Sequence, residues 1–254
     1  MKLTILGSGT SVFHPKRSSS GYWLETPGGT ILLDCAASVP HRMAQEGLNW
    51  GELDAIWISH FHLDHFAGLP AFLFGTKHAP ETQGRTKTLT IFGPKGLKDL
   101  LQKVSDAGEY KLFEQPFPLE IREVEPLENI EIVGLHATAM KTPHTEASLG
   151  LHLRSADDKT FVFTADTGFT DVIASFARRV DLLLIECSFV ADKPTDIHIQ
   201  LDEAMFLIGK AEPRRAVLTH LYPEWDEVDF AEQIKNHSPR CAIIEASDGL
   251  VIEV

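Results

Sequence analysis

The apolar positions of this chain come in short runs separated by longer stretches with helical spacing. Residues 2–6 read as a strand ending at Gly7-Ser8-Gly9-Thr10. Residues 21–26 and 30–34 read as two strands around Pro27-Gly28-Gly29, a strong hairpin signal. Residues 39–46 look helical and are closed by Gly47, 54–59 form a buried strand, and 64–74 continue as an apolar helix. Residues 75–88, rich in charge and turn formers, read as a long loop. A strand is expected over 89–92 and a helix from Gly93-Pro94 to about Ser105. Strands over 117–125 and 131–140 should lie in the first sheet or at its edge. Residues 148–154 and 159–164 make a hairpin through Ala156-Asp157-Asp158. Then come an amphipathic helix over 170–179, a buried strand over 181–185, a helix over 201–211 and a strand over 216–219. The last helix covers 226–236, and closing strands at 240–245 and 250–254 join through Asp248-Gly249.

Metal-binding chemistry gathers at the ends of these runs. His60, Asp166 and His220 each sit just past a β-like stretch. Functional groups in open α/β sheets collect at the carboxyl ends of strands, so three distant segments should meet at one end of the fold. The densest segment is His60-Phe61-His62-Leu63-Asp64-His65, four ligand-type side chains in six positions. Imidazole nitrogen and carboxylate oxygen suit zinc, and also manganese or iron. Alternating ligands in a short loop project to one side. They can feed one ion from His60 and His62 and a second from Asp64 and His65. Strand-helix units repeat in two halves, each with its ligand set, which suggests two sheets packed face to face under outer helices.

Composition narrows the picture. A chain of 254 residues with 43% hydrophobic content can fill a substantial core, and 1–254 reads as one domain. No run approaches transmembrane length, and the first apolar stretch is too short for a signal peptide. Cys35, Cys187 and Cys241 are scattered and none is in C-x-x-C spacing. That argues against disulfides and a thiolate metal site, and for a reducing cytoplasm. The net charge of −13 is unfavourable to nucleic-acid phosphates, and two divalent ions would leave it at −9. The G-x-G after the first strand lacks a third glycine and a following helix, so a nucleotide loop is rejected. His14, Lys16 and Arg17 read as solvated loop residues, in slight preference to phosphate contacts.

The run H-x-H-x-D-H with Gly68-Leu69 behind it resembles the hallmark of the metallo-β-lactamase-fold hydrolases. Other segments resemble the ribonuclease Z and phosphodiesterase branch. They are Ile91-Phe92-Gly93-Pro94-Lys95-Gly96, the G-D-T-like Ala165-Asp166-Thr167, Glu186-Cys187-Ser188-Phe189 (similar to E-A-T-F and D-C-S motifs) and Leu218-Thr219-His220. Alanine at 165 replaces the usual glycine, with little consequence expected. The resemblance implies an α/β fold, a four-layer αβ/βα sandwich, whose first loop edges the active site. It implies a hydrolase with two divalent ions, zinc first, manganese or iron as alternatives. Metal one takes His60, His62 and His144, and metal two takes Asp64, His65 and His220. Asp166 bridges them, with a water or hydroxide as second bridge. Asp64 also counts among the catalytic groups. Asp34 is implied to bond a metal ligand from behind, the alternative being a cap for the helix starting near Ser38. His198 is the candidate general acid, with Glu186 orienting or protonating it; the alternative is an exposed loop histidine. His14, His41, His78, His136, His152 and His237 match no ligand position and read as structural or solvated.

Ribonuclease Z proper carries an arm that grips transfer RNA, placed by the resemblance between the segments holding His144 and Asp166. Here those residues are 22 positions apart with one hairpin between them, which leaves no room for an arm. The expected reaction is therefore hydrolysis of a small or cyclic phosphodiester by metal-bound hydroxide, with no tight transfer-RNA binding and no membrane partner. A ribonuclease Z-like endonuclease, or a lactonase or thioesterase on the same scaffold, is the alternative. A homodimer is compatible with the sequence, and the 75–88 loop is either a substrate wall or a subunit contact.

Overall fold

The computed structural model describes residues 1–254 and places the strands in two seven-stranded sheets. The first sheet holds β1 (Lys2–Gly7), β2 (Gly21–Thr26), β3 (Gly29–Leu33), β4 (Ala55–Trp57), β5 (Leu89–Pro94) and β6 (Leu119–Val124), with β14 (Val251–Glu253) outside β1. The second runs in order from β7 (Asn129–Ile132) through β8 (Leu135–Lys141), β9 (Leu149–Arg154), β10 (Thr160–Phe163), β11 (Leu182–Glu186) and β12 (Arg215–Thr219) to β13 (Ala242–Glu245). Each half begins with antiparallel pairs and ends with parallel ones, β3 to β6 and β10 to β13. Parallel neighbours need crossovers, which are mostly helical here. The first half carries α1 (Val39–Gln45), α2 (Leu63–Phe66), α3 (Gly68–His78) and α4 (Leu97–Ala107). The second carries α5 (Val172–Phe176), α6 (Leu201–Ala211) and α7 (Phe230–Asn236).

The central strands read as unbroken apolar runs because both of their faces are covered. In β4, Ala55 and Trp57 join the core between the sheets, while Ile56 packs in the outer layer with residues of α1, α3 and α4. In β11, Leu182 and Leu184 face inward, and Leu183 and Ile185 pack with α5 and α6. The period-two alternation of a strand produces this division. The result is the αβ/βα sandwich expected from the sequence, with strand ends of both halves opening onto one site.

Several elements differ from expectation. Residues 131–140 are not one strand. Val133 (φ 45°) and Gly134 (φ 76°) turn the chain, and both β7 and β8 lie in the second sheet. The helix expected over 64–74 breaks at Ala67, and α3 runs on to His78, which shortens the following loop. Pro94 closes β5 rather than opening a helix, because Gly96 takes a left-handed turn (φ 98°) before α4. The amphipathic stretch over 170–179 gives only the short α5. The last helix splits into a 3-10 turn, Pro223–Glu227, and α7. Asp248-Gly249 does not make a hairpin; it carries the chain from β13 in one sheet to β14 in the other.

Candidate metal centre

The site begins with a change of backbone at His62. This residue is extended (φ −64°, ψ 147°), so His60 and His62 alternate onto one side. The helical turn α2 starts at Leu63 and swings Asp64 and His65 to a second position. The β8–β9 loop brings His144, the end of β10 brings Asp166, and the end of β12 brings His220. His60, His62, His144 and Asp166 each offer one donor atom within 4.8 Å of the others, and Asp64, His65, Asp166 and His220 do likewise. The two groups share Asp166. Its Oδ2 lies 3.8 Å from His60 Nε2, 3.1 Å from His65 Nε2, 3.6 Å from His144 Nε2 and 3.3 Å from His220 Nε2. His62 turns Nδ1 toward His144 Nε2 at 2.9 Å, and Asp64 Oδ2 is 3.4 Å from His220 Nε2.

Four of the five imidazoles, all but the exposed His62, are held from their far side, which fixes where the near nitrogen points. Asp34 Oδ2 is 2.7 Å from His65 Nδ1, while Asp34 Oδ1 accepts from the Ser59 N–H at 2.7 Å. Ser59 Oγ donates to Asp34 Oδ2 at 2.8 Å and lies 3.0 Å from His60 Nδ1. His144 Nδ1 is 2.8 Å from the Ile197 carbonyl oxygen. Asp34 does not cap α1, whose first turn has no side-chain cap at all. Gly68 lets the start of α3 pack directly against the backbone that follows Asp34. A Cβ there would run into the Ala36 carbonyl, and the Gly68 N–H donates to Cys35 O at 2.8 Å. Asp34, Ala165 and His220 all have left-handed backbone, with φ of 57°, 55° and 56°. Such residues cost on the order of 1–3 kcal/mol and persist where surrounding structure dictates them. The φ at Ala165 is the physical reason the similar motif uses glycine.

The electrostatics match the geometry. Burial opposes charge on His65, but Asp166 and Asp34 outweigh it and hold its pKa well above the ordinary value. His60 is driven well below by burial and by the charge of His65. Burial works against ionisation of Asp166 and Asp64, yet the histidines around them keep both carboxyls below the usual range. The buried Nε2 atoms of His60 and His65 find no hydrogen-bond partner in the protein, although Asp166 is close to both. Unpaired buried polar atoms cost about 1–3 kcal/mol. Imidazole nitrogens gathered around the one carboxylate that both groups share, Asp166, are the donor types of a divalent transition-metal site, so these residues fit such an ion.

His198 is not an exposed loop histidine. It is buried, with Nδ1 3.0 Å from Glu186 Oε1, and its ring stacks on His220 at 5.2 Å and lies 4.7 Å from His144. Burial lowers its pKa, but the hydrogen bond and charge of Glu186 prevail and raise it. Glu186 also accepts from Ser188 Oγ at 2.7 Å and from the N–H groups of Thr167 and Ile199. Arg17 departs from the solvated reading. It is buried, bonded to Asp226, Glu245 and the Ala246 carbonyl. His14 and Lys16 sit near the same Asp226. His152 packs on Phe176, and His136 is exposed. Sequence reasoning missed Ser59, Ser188 and the Ile197 carbonyl. The available signal was a hydroxyl adjacent to His60 and another within the Glu186-Cys187-Ser188 motif.

A family model described as anti-Pycsar protein Apyc1 matches residues 1–238. The chain belongs to that family. Ribonuclease Z of Methanosarcina mazei is 30% identical over 310 aligned positions, covering 100% of this chain and 98% of that one. Among solved structures, the metallo-β-lactamase fold protein YhfI of Bacillus subtilis superposes with a TM-score of 0.82 at 23% identity, covering 100% of this chain and 99% of that one. Human tRNase Z, short form, superposes at 0.80 with 21% identity and the same coverage of both chains. The two structures speak for the fold. Together with the sequence relatives they place the chain among metallo-hydrolases of the metallo-β-lactamase fold, in the ribonuclease Z and phosphodiesterase branch.

Proposed function

We propose that this chain is a phosphodiesterase acting on a small or cyclic phosphodiester with two divalent ions, zinc in the first instance. His60, His62 and His144 would hold one ion, Asp64, His65 and His220 the other, and Asp166 would reach both. Ions at such a centre polarise a phosphoryl oxygen and make water acidic at neutral pH. The protein's own groups do the rest. Asp34 and Ser59 hold two of the imidazoles in line from behind. Glu186 engages Nδ1 of His198, so the proton that His198 gives up leaves from Nε2. Lys193 donates to the His198 carbonyl and the Ile199 N–H to Glu186, which ties the chain on both sides of that ring.

The observation that carries this reading is the Glu186–His198 pair against the donor groups. An alkoxide leaving phosphorus needs a proton, and a buried imidazole with a raised pKa is suited to give one. Small size of substrate is supported by the segment between His144 and Asp166, which forms the β9–β10 hairpin of the sheet itself and no arm. Hydrolysis of bis(4-nitrophenyl) phosphate and a cyclic nucleotide, set against a chromogenic lactone and a thioester, tests the proposal. Faster turnover of the lactone or thioester than of both diesters would overturn it. Elemental analysis tests the ions: active protein should hold two equivalents, and Asp166→Asn should lose one most readily because it removes the shared charge. Retention of both at native affinity would remove Asp166 from the bridging position.

A further inference from the structure

The Ser188 hydroxyl touches three functional groups at once. It donates to Glu186 Oε2 at 2.7 Å and lies 3.0 Å from His220 Nδ1 and 3.3 Å from His198 Nδ1. Its single hydrogen is committed to the carboxylate, so toward His220 the oxygen acts as acceptor. That places the His220 hydrogen on Nδ1 and leaves the Nε2 lone pair facing Asp64 and Asp166. His198 Nδ1 is nearer to Glu186 Oε1, at 3.0 Å, so its hydrogen goes to the carboxylate. We propose that Ser188 is a positioning residue that couples the metal-facing His220 to the acid His198 through Glu186. The coupling to catalysis rests on the functional reading above; the hydrogen-bond chain does not.

The other half of the molecule provides an internal comparison. Ser59 donates to Asp34 at 2.8 Å and lies 3.0 Å from His60 Nδ1. It holds a histidine through a hydroxyl and a carboxylate just as Ser188 does, but its carboxylate partner is not bonded to His198. Ser59 therefore supports metal-facing histidines only, His60 directly and His65 through Asp34, whereas Ser188 supports one and the acid as well.

The test uses full-length Ser188→Ala, Ser188→Thr and Ser59→Ala proteins. Zinc affinity is measured by competition with a chromogenic chelator, and imidazole ¹⁵N NMR of the zinc-loaded proteins reads which ring nitrogen carries hydrogen. Rates are taken on bis(4-nitrophenyl) phosphate and on an alkyl phosphodiester. Ser188→Ala should weaken one zinc equivalent by about 10–100-fold, the usual effect of losing a group behind a ligand. It should also lower the alkyl-ester rate more than the aryl-ester rate and disturb the Nδ1–H signals of His220 and His198. Ser59→Ala should weaken zinc comparably and lower both ester rates alike. Ser188→Thr, which keeps the hydroxyl, should restore zinc affinity and the NMR signals. Native zinc affinity and native imidazole signals in Ser188→Ala would overturn the inference. So would equal losses on both esters, which would make Ser188 a support for His220 alone. If the native protein cleaves neither ester, the phosphodiesterase reading fails, and the zinc and NMR readouts still decide whether the chain of hydrogen bonds exists.

Discussion

The consequence of placing His198 Nδ1 on Glu186 is that the role of His198 depends on what leaves. A nitrophenolate leaves as a stable anion and needs little protonation, whereas an alkoxide needs it badly. His198→Ala should therefore keep both metal equivalents and lose roughly 10²–10⁴ in rate on an alkyl ester, while the aryl ester is comparatively spared. Paired kinetics with metal analysis checks this. Equal losses would mean that His198 positions the phosphate, and lost metal would mean that it is a ligand. At this scale the residues legible in the sequence were those whose chemistry is rare and local. The cluster from His60 to His65 is readable within six positions. Asp34 and His198 were readable only through motif resemblance. Ser59 and Ser188 were not read, because serine is common. Ser188 acquires its role when β11 and β12 lie side by side and bring Glu186 level with Thr219, one residue before His220.

Elements are tied together by buried cations as well as by packing. The segment after α3 was expected to be a long loop, and Arg85 pins it. Its guanidinium is buried without a carboxylate partner and donates to the carbonyls of Gly51, Leu53, Lys87 and Thr88, above the ring of Phe117 at 4.6 Å. Desolvation accordingly lowers its pKa. Truncation in Arg85→Ala leaves several carbonyls unpaired, and each hydrogen bond from a charged group is worth about 1.5–3 kcal/mol. The expected destabilisation is about 3 kcal/mol, read as a lower urea midpoint. Arg85→Lys should recover little of it, since an ammonium cannot span four acceptors in a planar fork. The strands were legible because their apolar runs have lengths typical of strands. The boundaries that failed were set by backbone turns with weak composition signals. Val133 at φ 45° is a β-branched residue in a left-handed conformation, which no local preference predicts.

Across the whole molecule, charge acts in two opposite ways. Locally, Arg17 clamps the loop after β1 to Asp226 and Glu245 of the second half, partners more than 200 residues away in sequence, and for that reason its burial was illegible. Asp226 resists ionisation through burial, but the hydrogen bond and charge of Arg17 prevail and depress its pKa. A depressed carboxyl contributes stability above its unfolded pKa of about 3.9 and loses it as pH falls through the folded value. Asp226→Asn should thus be less stable by about 1–3 kcal/mol from pH 7 to about 5, with the gap closing below about pH 4 in urea titrations. Globally, the charge of −13 opposes polyanions. Two divalent ions would neutralise too little to reverse it, and the β9–β10 hairpin supplies no protruding basic surface between His144 and Asp166. Binding to nucleic acid gains chiefly by releasing counterions from phosphates, with a slope near −0.9 in log affinity per neutralised phosphate. A chain that neutralises few phosphates must bind transfer RNA weakly and with a shallow salt dependence. The measurement is a titration of labelled transfer RNA into metal-loaded protein at several salt concentrations. The expected result is no sub-micromolar complex near physiological salt. A tight complex with a steep salt slope would show that a local basic surface overrides the net charge, and would return the ribonuclease Z activity to first place.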